Sequence, residues 1–183
     1  MELVKTNIPE VLLIEPKVFK DDRGYFLELF SNERYEKSGV TGNFVQDNLS
    51  LSKKGTLRGL HFQYPKSQGK LIYASKGEIY DVAVDIRRGS PTYGKWIGTY
   101  LSEKNKRQIW VPGGFAHGFF VTSEYAVVLY KCTDYYNPDT EQSIRWNDPF
   151  IGINWPGKQI LLSDKDSSAK YLQDIPGDKL PLY

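Results

Sequence analysis

Residues 78–86 read EIYDVAVDI, and this stretch shows the clearest alternation of side chains in the chain. Its two alternating sets are Tyr80, Val82, Val84 and Ile86 on one face, and Ile79, Asp81, Ala83 and Asp85 on the other. A period of two residues is typical of a β-strand, because successive side chains of a strand point to opposite faces. The stretch therefore predicts a strand in a sheet.

Further short runs rich in Val, Ile, Tyr, Phe and Trp predict strands on both sides of it, separated by many of the 16 Gly and 10 Pro residues. These runs cover residues 10–14, 25–30, 44–51, 56–63, 70–75, 95–101, 107–111, 115–122 and 125–133. Only residues 31–37, SNERYEK, ahead of Ser38-Gly39, predict a helix. Many short strands at this spacing favour a barrel or jelly roll.

The chain shows no internal repeat and no linker, so we predict one domain over residues 1–183. From Asn137 onward the sequence becomes rich in Pro, Asp and Trp, with weak periodicity. That segment is too aromatic to be disordered. We expect it to wrap the barrel in ordered loops and short helical turns.

The composition excludes several classes of function. With 24 Lys and Arg against 22 Asp and Glu, the net charge of +2 does not suggest a nucleic-acid-binding surface. No apolar run approaches eighteen residues and the N-terminus does not resemble a secretion signal, so we expect a cytoplasmic protein with no membrane partner. Only two His and one Cys are present, which argues against a bound metal. Cys132 lies in the apolar run AVVLYKC and is expected to be a buried small hydrophobe rather than a nucleophile.

Two predicted strands carry polar residues that are candidates for chemistry. Gln46 and Asn48 share a face, although in isolation this pattern more often marks the solvated side of a strand. The next strand, TLRGLHFQ at residues 56–63, contains Arg58 and His61 among apolar neighbours. Strict alternation would point those two side chains to opposite faces. A bulge at Gly59 would bring both to one pocket, and this is a recognised use of glycine in strands near active sites.

Three other candidates each have an ordinary structural interpretation. His117, in GFAHGFF at residues 114–120, could be a core histidine with a single hydrogen bond, and Tyr130 shares its face with apolar residues. Lys70 begins a strand, where a solvated lysine is common. Together, however, an imidazole, a phenol, an ammonium and several carboxylates on neighbouring strands suit proton transfer. No dinucleotide-binding, phosphate-loop or serine-hydrolase motif competes with that interpretation.

Five blocks of sequence resemble one known family. They are FVQDNLSLSKKGTLRGLHFQ (44–63), DVAVDIRRGSPTYGKW (81–96), PGGFAHGFF (112–120), YKCTDYYNPDTEQSIRWNDPFIGINWP (130–156) and ILLSDKD (160–166). In this order they resemble the dTDP-4-dehydrorhamnose 3,5-epimerases, over about residues 8–166. The blocks are too long for a chance match.

The resemblance implies an all-β fold: a cupin-type double-stranded β-helix, or jelly-roll barrel, with a short N-terminal helix and a C-terminal wrapping segment. It implies an enzyme without metal or other cofactor, acting on a nucleotide-sugar substrate as a homodimer whose N-terminal strands contribute to the partner's site. The implied reaction converts dTDP-4-dehydro-6-deoxy-D-glucose to dTDP-4-dehydro-L-rhamnose, in dTDP-L-rhamnose biosynthesis.

The resemblance also assigns roles to individual residues. His61 matches the family's base, Asp166 the carboxylate that orients it, and Tyr130 the acid, while Lys70 matches the lysine beside the keto oxygen. Substrate-contacting positions fall on Arg23, Glu28, Gln46, Asp47, Asn48, Arg58, His117, Glu141 and Lys165. The forked donors of Arg23 and Arg58 suit a diphosphate.

Two alternatives remain open from the sequence. One is an enzyme of the same fold that epimerises a single carbon, or isomerises the keto group, on the way to another deoxysugar. The other is a non-catalytic sugar-binding cupin. Its expected signature is loss of His61 or Tyr130, and both residues are present.

Overall fold

Two antiparallel sheets carry most of the chain in a computed structural model that describes all residues 1–183. The strands are β1 (Glu2–Val4), β2 (Leu12–Glu15), β3 (Val18–Asp21), β4 (Gly24–Leu27), β5 (Gln46–Lys53), β6 (Leu57–Gln63), β7 (Lys70–Lys76), β8 (Glu78–Asp85), β9 (Trp96–Ser102), β10 (Gln108–Val111), β11 (Phe115–Val121), β12 (Tyr125–Cys132) and β13 (Glu141–Ser143). The helices are α1 (Asn32–Lys37) and α2 (Asp164–Ser167), followed by 3-10 turns at Leu172–Asp174 and Gly177–Lys179.

The strand order is that of a jelly roll. The six-stranded sheet runs β1-β2-β10-β7-β12-β5 and the five-stranded sheet runs β13-β6-β11-β8-β9. Strands β3 and β4 form a separate hairpin. Consecutive strands such as β5 and β6 lie in different sheets, so the chain passes repeatedly across the barrel and brings distant residues to its interior. The predicted all-β, cupin-type fold is confirmed.

The protein has one core between the sheets, another outside the five-stranded sheet, and a small third one where α1 packs on the outer face of the six-stranded sheet. The inner core includes Ile72 and Val128 from one sheet and Ala83 and Phe119 from the other. The outer core forms where the C-terminal segment covers the second face of the five-stranded sheet. Each fully buried aliphatic side chain in these cores contributes about 1.5–3 kcal/mol. The C-terminal segment is therefore the outer wall of the fold, as expected from its aromatic composition.

Strand β8 has the two faces that its alternation predicts. Ile79 and Ala83 belong to the inner core, whereas Val82 and Val84 belong to the outer core. The face that carries two aspartates thus points into the barrel, and the wholly apolar face packs under the C-terminal segment.

All ten predicted strands are present, with ends displaced by no more than about three residues, within the usual uncertainty of such boundaries. The predicted helix begins at Asn32, with Ser31 as its N-cap residue. Three strands were missed: β1, β3 and β13 have only three or four residues each, too few to show an alternation. None of the helices is both long enough and apolar enough to span a lipid bilayer.

The predicted bulge in β6 is also present. His61 lies opposite His117 and Arg58 lies opposite Phe119. An advance of three residues along β6 therefore corresponds to an advance of only two residues along β11. The extra residue brings Arg58 and His61 to the same inner face. Gly59 has φ +125°, and a Cβ there would lie 2.5 Å from the Cα of Gly118. Only glycine fits this close approach of two backbones.

Candidate functional site

His61 and Asp166 form a hydrogen-bonded pair at one side of the barrel interior. Asp166 lies in α2, and its Oδ1 is 2.6 Å from Nε2 of His61. Burial by itself raises the pKa of Asp166, but hydrogen bonds from His61 and from the Gly59 N–H outweigh it and leave that pKa below its ordinary value. An ionised carboxylate only accepts hydrogen bonds, so Nε2 carries the proton and the other ring nitrogen keeps a free lone pair.

The exposure of this pair suits a base that works inside a cavity. The Asp166 side chain is 4% exposed, whereas that of His61 is 27% exposed. The carboxylate is thus shielded from water while the imidazole reaches open space. A fixed ring with one free lone pair is the arrangement of a general base.

A second histidine and aspartate lie beside the first pair. His117 is directly opposite His61 in the sheet, and its Nε2 is 2.9 and 3.0 Å from the two carboxylate oxygens of Asp81. Both residues are buried. His117 is thus satisfied by one carboxylate, close to the expected core histidine, but it also adjoins the candidate base. From the sequence, Asp81 was predicted only to lie on one face of a strand, without a role.

Tyr130 and Lys70 face the two histidines from the other sheet. Tyr130 lies on β12 beside the inner core, and Lys70 pairs with Cys132 at the start of β7. Burial raises the pKa of the Tyr130 phenol, and the Arg58 charge opposes that rise only in part. Burial lowers the pKa of Lys70, although Cys132, Glu141 and Asp81 favour its charge. The barrel interior therefore contains a phenol that burial makes harder to ionise and a lysine amine whose charged form burial disfavours.

Gln46 and Asn48 lie on the inner face of β5, whereas Asp47 does not. Nε2 of Gln46 donates to Oδ1 of Asn48 at 3.1 Å, and Nδ2 of Asn48 lies 3.6 Å from the sulfur of Cys132. Asp47 has the opposite parity and forms a 2.9 Å ion pair with Lys131 on the outer face of the sheet. The solvated interpretation of Gln46 and Asn48 was therefore wrong, and the structure does not bring Asp47 to the site.

Glu141 and Lys165 form an ion pair at the rim of the cavity. Burial by itself raises the pKa of Glu141, but hydrogen bonds from Lys165 and Tyr136 outweigh it and hold that pKa below its ordinary value. The Tyr136 hydroxyl donates to Glu141 at 2.9 Å, and the Tyr136 N–H donates to Gln46 at 2.9 Å. Tyr136 was not predicted to be a site residue, and its only signal in the sequence was its place in the aromatic turn after β12.

Arg58 extends from the bulge towards β5. Its Nε donates to Oγ of Ser52 at 3.0 Å, and it has no carboxylate partner within 4 Å. It lies opposite Phe119 of the inner core, and so on the same face of the sheet as His61. Ser52 was not singled out in the sequence.

Two expected site residues have no contact with the others in this chain. Arg23, whose side chain is 91% exposed, pairs only with Asp21 in the turn between β3 and β4. Glu28, just after that hairpin, is bound by Arg34. The structure of a single chain therefore does not bring Arg23 and Glu28 to His61.

No three side chains of His, Cys, Asp and Glu converge as a metal site would require. The two His–Asp pairs instead leave each imidazole with a single carboxylate. The groups that line the cavity are a base with a fixed tautomer, a phenol and an ammonium. Such a set can remove a proton, hold a developing negative charge and return a proton.

Comparison with known proteins identifies the family. The profile of the dTDP-4-dehydrorhamnose 3,5-epimerase family matches residues 5–174. The enzyme of that name from Pseudomonas aeruginosa is 53% identical over 176 residues, covering 95% of this chain and 97% of the relative. The one from Salmonella typhimurium is 55% identical over 175 residues, covering 94% and 96%.

Solved structures agree with this result. The Legionella pneumophila dTDP-6-deoxy-D-glucose-3,5-epimerase, in complex with dTDP-4-keto-L-rhamnose, superposes with a TM-score of 0.98 at 54% identity, covering 100% of this chain and 98% of the other. A 3'-monoepimerase from Streptomyces bikiniensis, in complex with dTDP-quinovose, gives a TM-score of 0.87 at 32% identity, covering 92% and 87%. The extent of both matches leaves one conclusion: this chain belongs to the dTDP-4-dehydrorhamnose 3,5-epimerase family of isomerases.

Proposed function

We propose that the chain epimerises dTDP-4-dehydro-6-deoxy-D-glucose at C3 and C5 to give dTDP-4-dehydro-L-rhamnose, with His61 as the base and Tyr130 as the acid. Both carbons flank the C4 ketone, so removal of either proton gives an enolate. His61 accepts the proton on the ring nitrogen that does not contact Asp166. Asp166 then stabilises the imidazolium.

The observation that carries the proposal is the placement of base and acid on facing sheets. His61 projects from β6 of the five-stranded sheet and Tyr130 from β12 of the six-stranded sheet. Inversion requires that the proton leave one face of the sugar ring and return to the other. A sugar ring held between the two sheets has His61 on one face and Tyr130 on the other, so it meets that requirement without turning over.

Lys70 is the cation that suits the enolate oxygen. It lies on β7, next to β12, on the same sheet as the acid. A cation in a poorly solvated site stabilises a developing oxyanion far more than it would in water. His117, held by Asp81, adds a polar group beside the base.

The other polar groups form the binding part of the site. Gln46 and Asn48 line the inner face of β5, Glu141 and Lys165 form a pair at the rim, and Arg58 offers its terminal amino groups. Guanidinium and ammonium groups suit phosphoryl oxygens, which a nucleotide sugar carries. We assign these residues to substrate binding.

We further propose a homodimer formed through the outer face of the six-stranded sheet. Leu49 and Leu51 on its edge strand β5 are 66% and 63% exposed, and Phe26 on the hairpin is 70% exposed. An apolar patch of this kind usually marks an interface. The same face holds a depression of about 240 Å³, lined by residues that include Tyr73 and Leu129, which an apolar side chain of a second copy can fill.

The dimer also gives Arg23 and Glu28 a role. Both lie on or beside the exposed hairpin and contact no site residue of their own chain. In the proposed dimer they enter the partner's site, where Arg23 meets the diphosphate. Leu49→Glu, compared with Lys95→Glu at the exposed position before β9 of the other sheet, tests this assembly by sedimentation. A Leu49→Glu protein with the sedimentation of wild type contradicts the proposed interface.

We propose a cytoplasmic location as well. The single cysteine, Cys132, is buried and unpaired, as in a protein that folds in a reducing compartment. Fractionation of the source cells tests this assignment.

The deciding experiment follows hydrogen exchange in heavy water. The protein is incubated with dTDP-4-dehydro-6-deoxy-D-glucose, and proton NMR follows exchange at C3 and C5 and formation of the L-configured sugar. Exchange and inversion at both carbons support the proposal. Exchange at one carbon supports single-carbon epimerisation instead, and binding without exchange supports a sugar-binding protein. Tyr130→Phe is expected to leave exchange by His61 partly active while inverted product is lost.

A further inference from the structure

The segment that carries the orienting carboxylate is fixed to the rest of the fold on both sides of α2. On one side, the Leu57 N–H, where β6 begins, donates to the Leu161 carbonyl at 3.0 Å. On the other side, the Arg145 N–H, just beyond β13, donates to the Lys170 carbonyl at 2.8 Å. The position of the carboxylate is therefore set between these two attachments, within residues 162–169.

Helix α2 is a single turn without an apolar face. Only Asp166 among its residues is buried, and the others are exposed. The first turn of any helix is costly, because it fixes many backbone dihedrals for one hydrogen bond, and most helices in proteins are stabilised by a packed apolar face. Helix α2 lacks that stabilisation, so its geometry depends on the hydrogen bonds at its ends.

Ser163 forms the hydrogen bond at the N-terminal end. It is the N-cap residue of α2, with an extended backbone, and its Oγ accepts the Asp166 N–H at 3.2 Å. In the usual capping box, the acidic side chain three residues after the cap accepts the N–H of the cap residue. Asp166 holds that position, yet its carboxylate reaches His61, at 2.6 Å, and the Gly59 N–H. The serine half of the box is therefore kept, while the carboxylate half is used in the site.

We propose that Ser163 is a positioning residue for the reaction: its hydroxyl fixes the backbone of Asp166, and so the direction of the carboxylate that orients His61. Its Oγ has no hydrogen-bond partner in the chain other than the Asp166 N–H, so the hydroxyl acts through Asp166 alone. Removing a serine cap changes the equilibrium of a helix end by about 5-fold. The inference rests on the proposed function, and its test separates the two.

The first measurement is exchange at C3 and C5 in heavy water, with the full chain. Ser163→Ala is expected to lower the rate at both carbons by about 5-fold at saturating substrate, with KM changed much less. In the Asp166→Ala background the same change is expected to cause no further loss, because Ser163 acts only through Asp166. Losses that add in the double mutant, or no loss in Ser163→Ala alone, would overturn the proposal.

Ser168→Ala is the matched control. Ser168 is also exposed and lies at the other end of α2, where its hydroxyl donates to the Asp164 carbonyl at 2.8 Å without contacting Asp166. We expect wild-type exchange for Ser168→Ala. Ser163→Asn is expected to recover most of the exchange, because asparagine caps a helix as well as serine does. Equal losses in the two alanine variants would refute the assignment, as would the absence of recovery with asparagine.

A second measurement needs no turnover. The chain has only two histidines, and Nε2 of each lies within hydrogen-bond distance of a carboxylate. NMR of protein labelled with ¹⁵N-histidine follows their imidazole N–H signals, and His61→Asn identifies the one from His61. Ser163→Ala is expected to move the His61 signal upfield and to speed its exchange with water, because the hydrogen bond to Asp166 is weakened, while the His117 signal stays unchanged.

An unchanged His61 signal, or equal changes in both histidines, would contradict the proposal. A changed His61 signal in a protein that does not epimerise the sugar would preserve the positioning role and refute the proposed function.

Discussion

Replacing Asp166 by Asn keeps the shape of the side chain and removes its charge, and so tests how His61 is made a base. The hydrogen bond of 2.6 Å joins an ionised carboxylate to an imidazole that becomes a cation during the reaction. A bond to a charged group contributes about 1.5–3 kcal/mol, which corresponds to roughly 10- to 150-fold in rate. Loss of the charge alone therefore predicts a decrease of that size.

A second effect follows from the Gly59 N–H, which donates to the other Asp166 oxygen at 3.5 Å. An asparagine keeps that contact by turning its carbonyl oxygen to Gly59, so its amide NH₂ faces Nε2 of His61. Nε2 must then accept a hydrogen bond, and the ring proton moves to the nitrogen that faces the substrate. Loss of the base costs about 10²–10⁴-fold. We expect Asp166→Asn to lower exchange at both C3 and C5 by at least about 100-fold.

The assay is the exchange of C3 and C5 protons in heavy water, with Asp164→Asn as the matched control. Asp164 is an exposed carboxylate in the same helix, two residues before Asp166. Its replacement removes the same charge from α2 without touching His61, so exchange is expected to stay at the wild-type rate. Exchange in Asp166→Asn that matches this control would refute the orienting role of the carboxylate.

The remaining predictions concern the bulge, the cation, an interior carboxylate and metal. Gly59→Ala places a Cβ against Gly118, so we expect a lower urea midpoint and loss of exchange; normal values of both would contradict the argument for glycine. Because burial lowers the pKa of Lys70, activity that needs its charge should decline as the pH rises, at a pH below the usual pKa of lysine. Lys70→Met should abolish this decline at alkaline pH and also remove most of kcat. Burial by itself raises the pKa of Asp85, but hydrogen bonds from neighbouring residues outweigh burial and hold that pKa below its ordinary value. The ionised Asp85 therefore stabilises the fold fully above the pKa of an unfolded aspartate, and this stabilisation is lost as the pH falls through the lower pKa of the folded state. Asp85→Ala, which leaves Arg87 without its buried partner, should reduce the free energy of unfolding by about 3–5 kcal/mol at neutral pH, measured by urea denaturation. Activity should survive dialysis against a chelator, and loss of turnover with release of stoichiometric metal would overturn metal-independent catalysis.

The secondary structure could be predicted wherever a strand was long enough to alternate. Strand β8 shows this best, because both of its faces are buried and each has its own composition. The bulge at Gly59 was also predictable, since a polar residue on either side of a glycine conflicted with strict alternation. Strand β13 was not, because its three polar residues are held by pairing with β6 rather than by any pattern of their own.

The site was less accessible from sequence pattern alone. Alternation places Asp81 on a face, but only the pairing of β8 with β11 brings it to His117. It was the resemblance to a family that linked Asp166 to His61, because no local signal joins residues so far apart. The hydrogen bond between Ser52 and Arg58 depends on the bulge in β6 and on the contact between the two sheets, so it could not be predicted from either residue.

The distance along the chain between His61 and Asp166, 105 residues, has a consequence for when the enzyme becomes active. A ribosome adds about 5–20 residues per second, so the strands that carry the imidazole emerge several seconds before the carboxylate. Contacts between such distant segments also form late in folding, since the entropy of closing the loop must be overcome first. The same C-terminal segment covers the outer core, and Leu172 and Leu180 anchor it there. A nascent barrel without that segment contains the His61 imidazole but not the carboxylate that orients it. Full catalytic activity is therefore expected only after Asp166 has been translated and the last segment has docked.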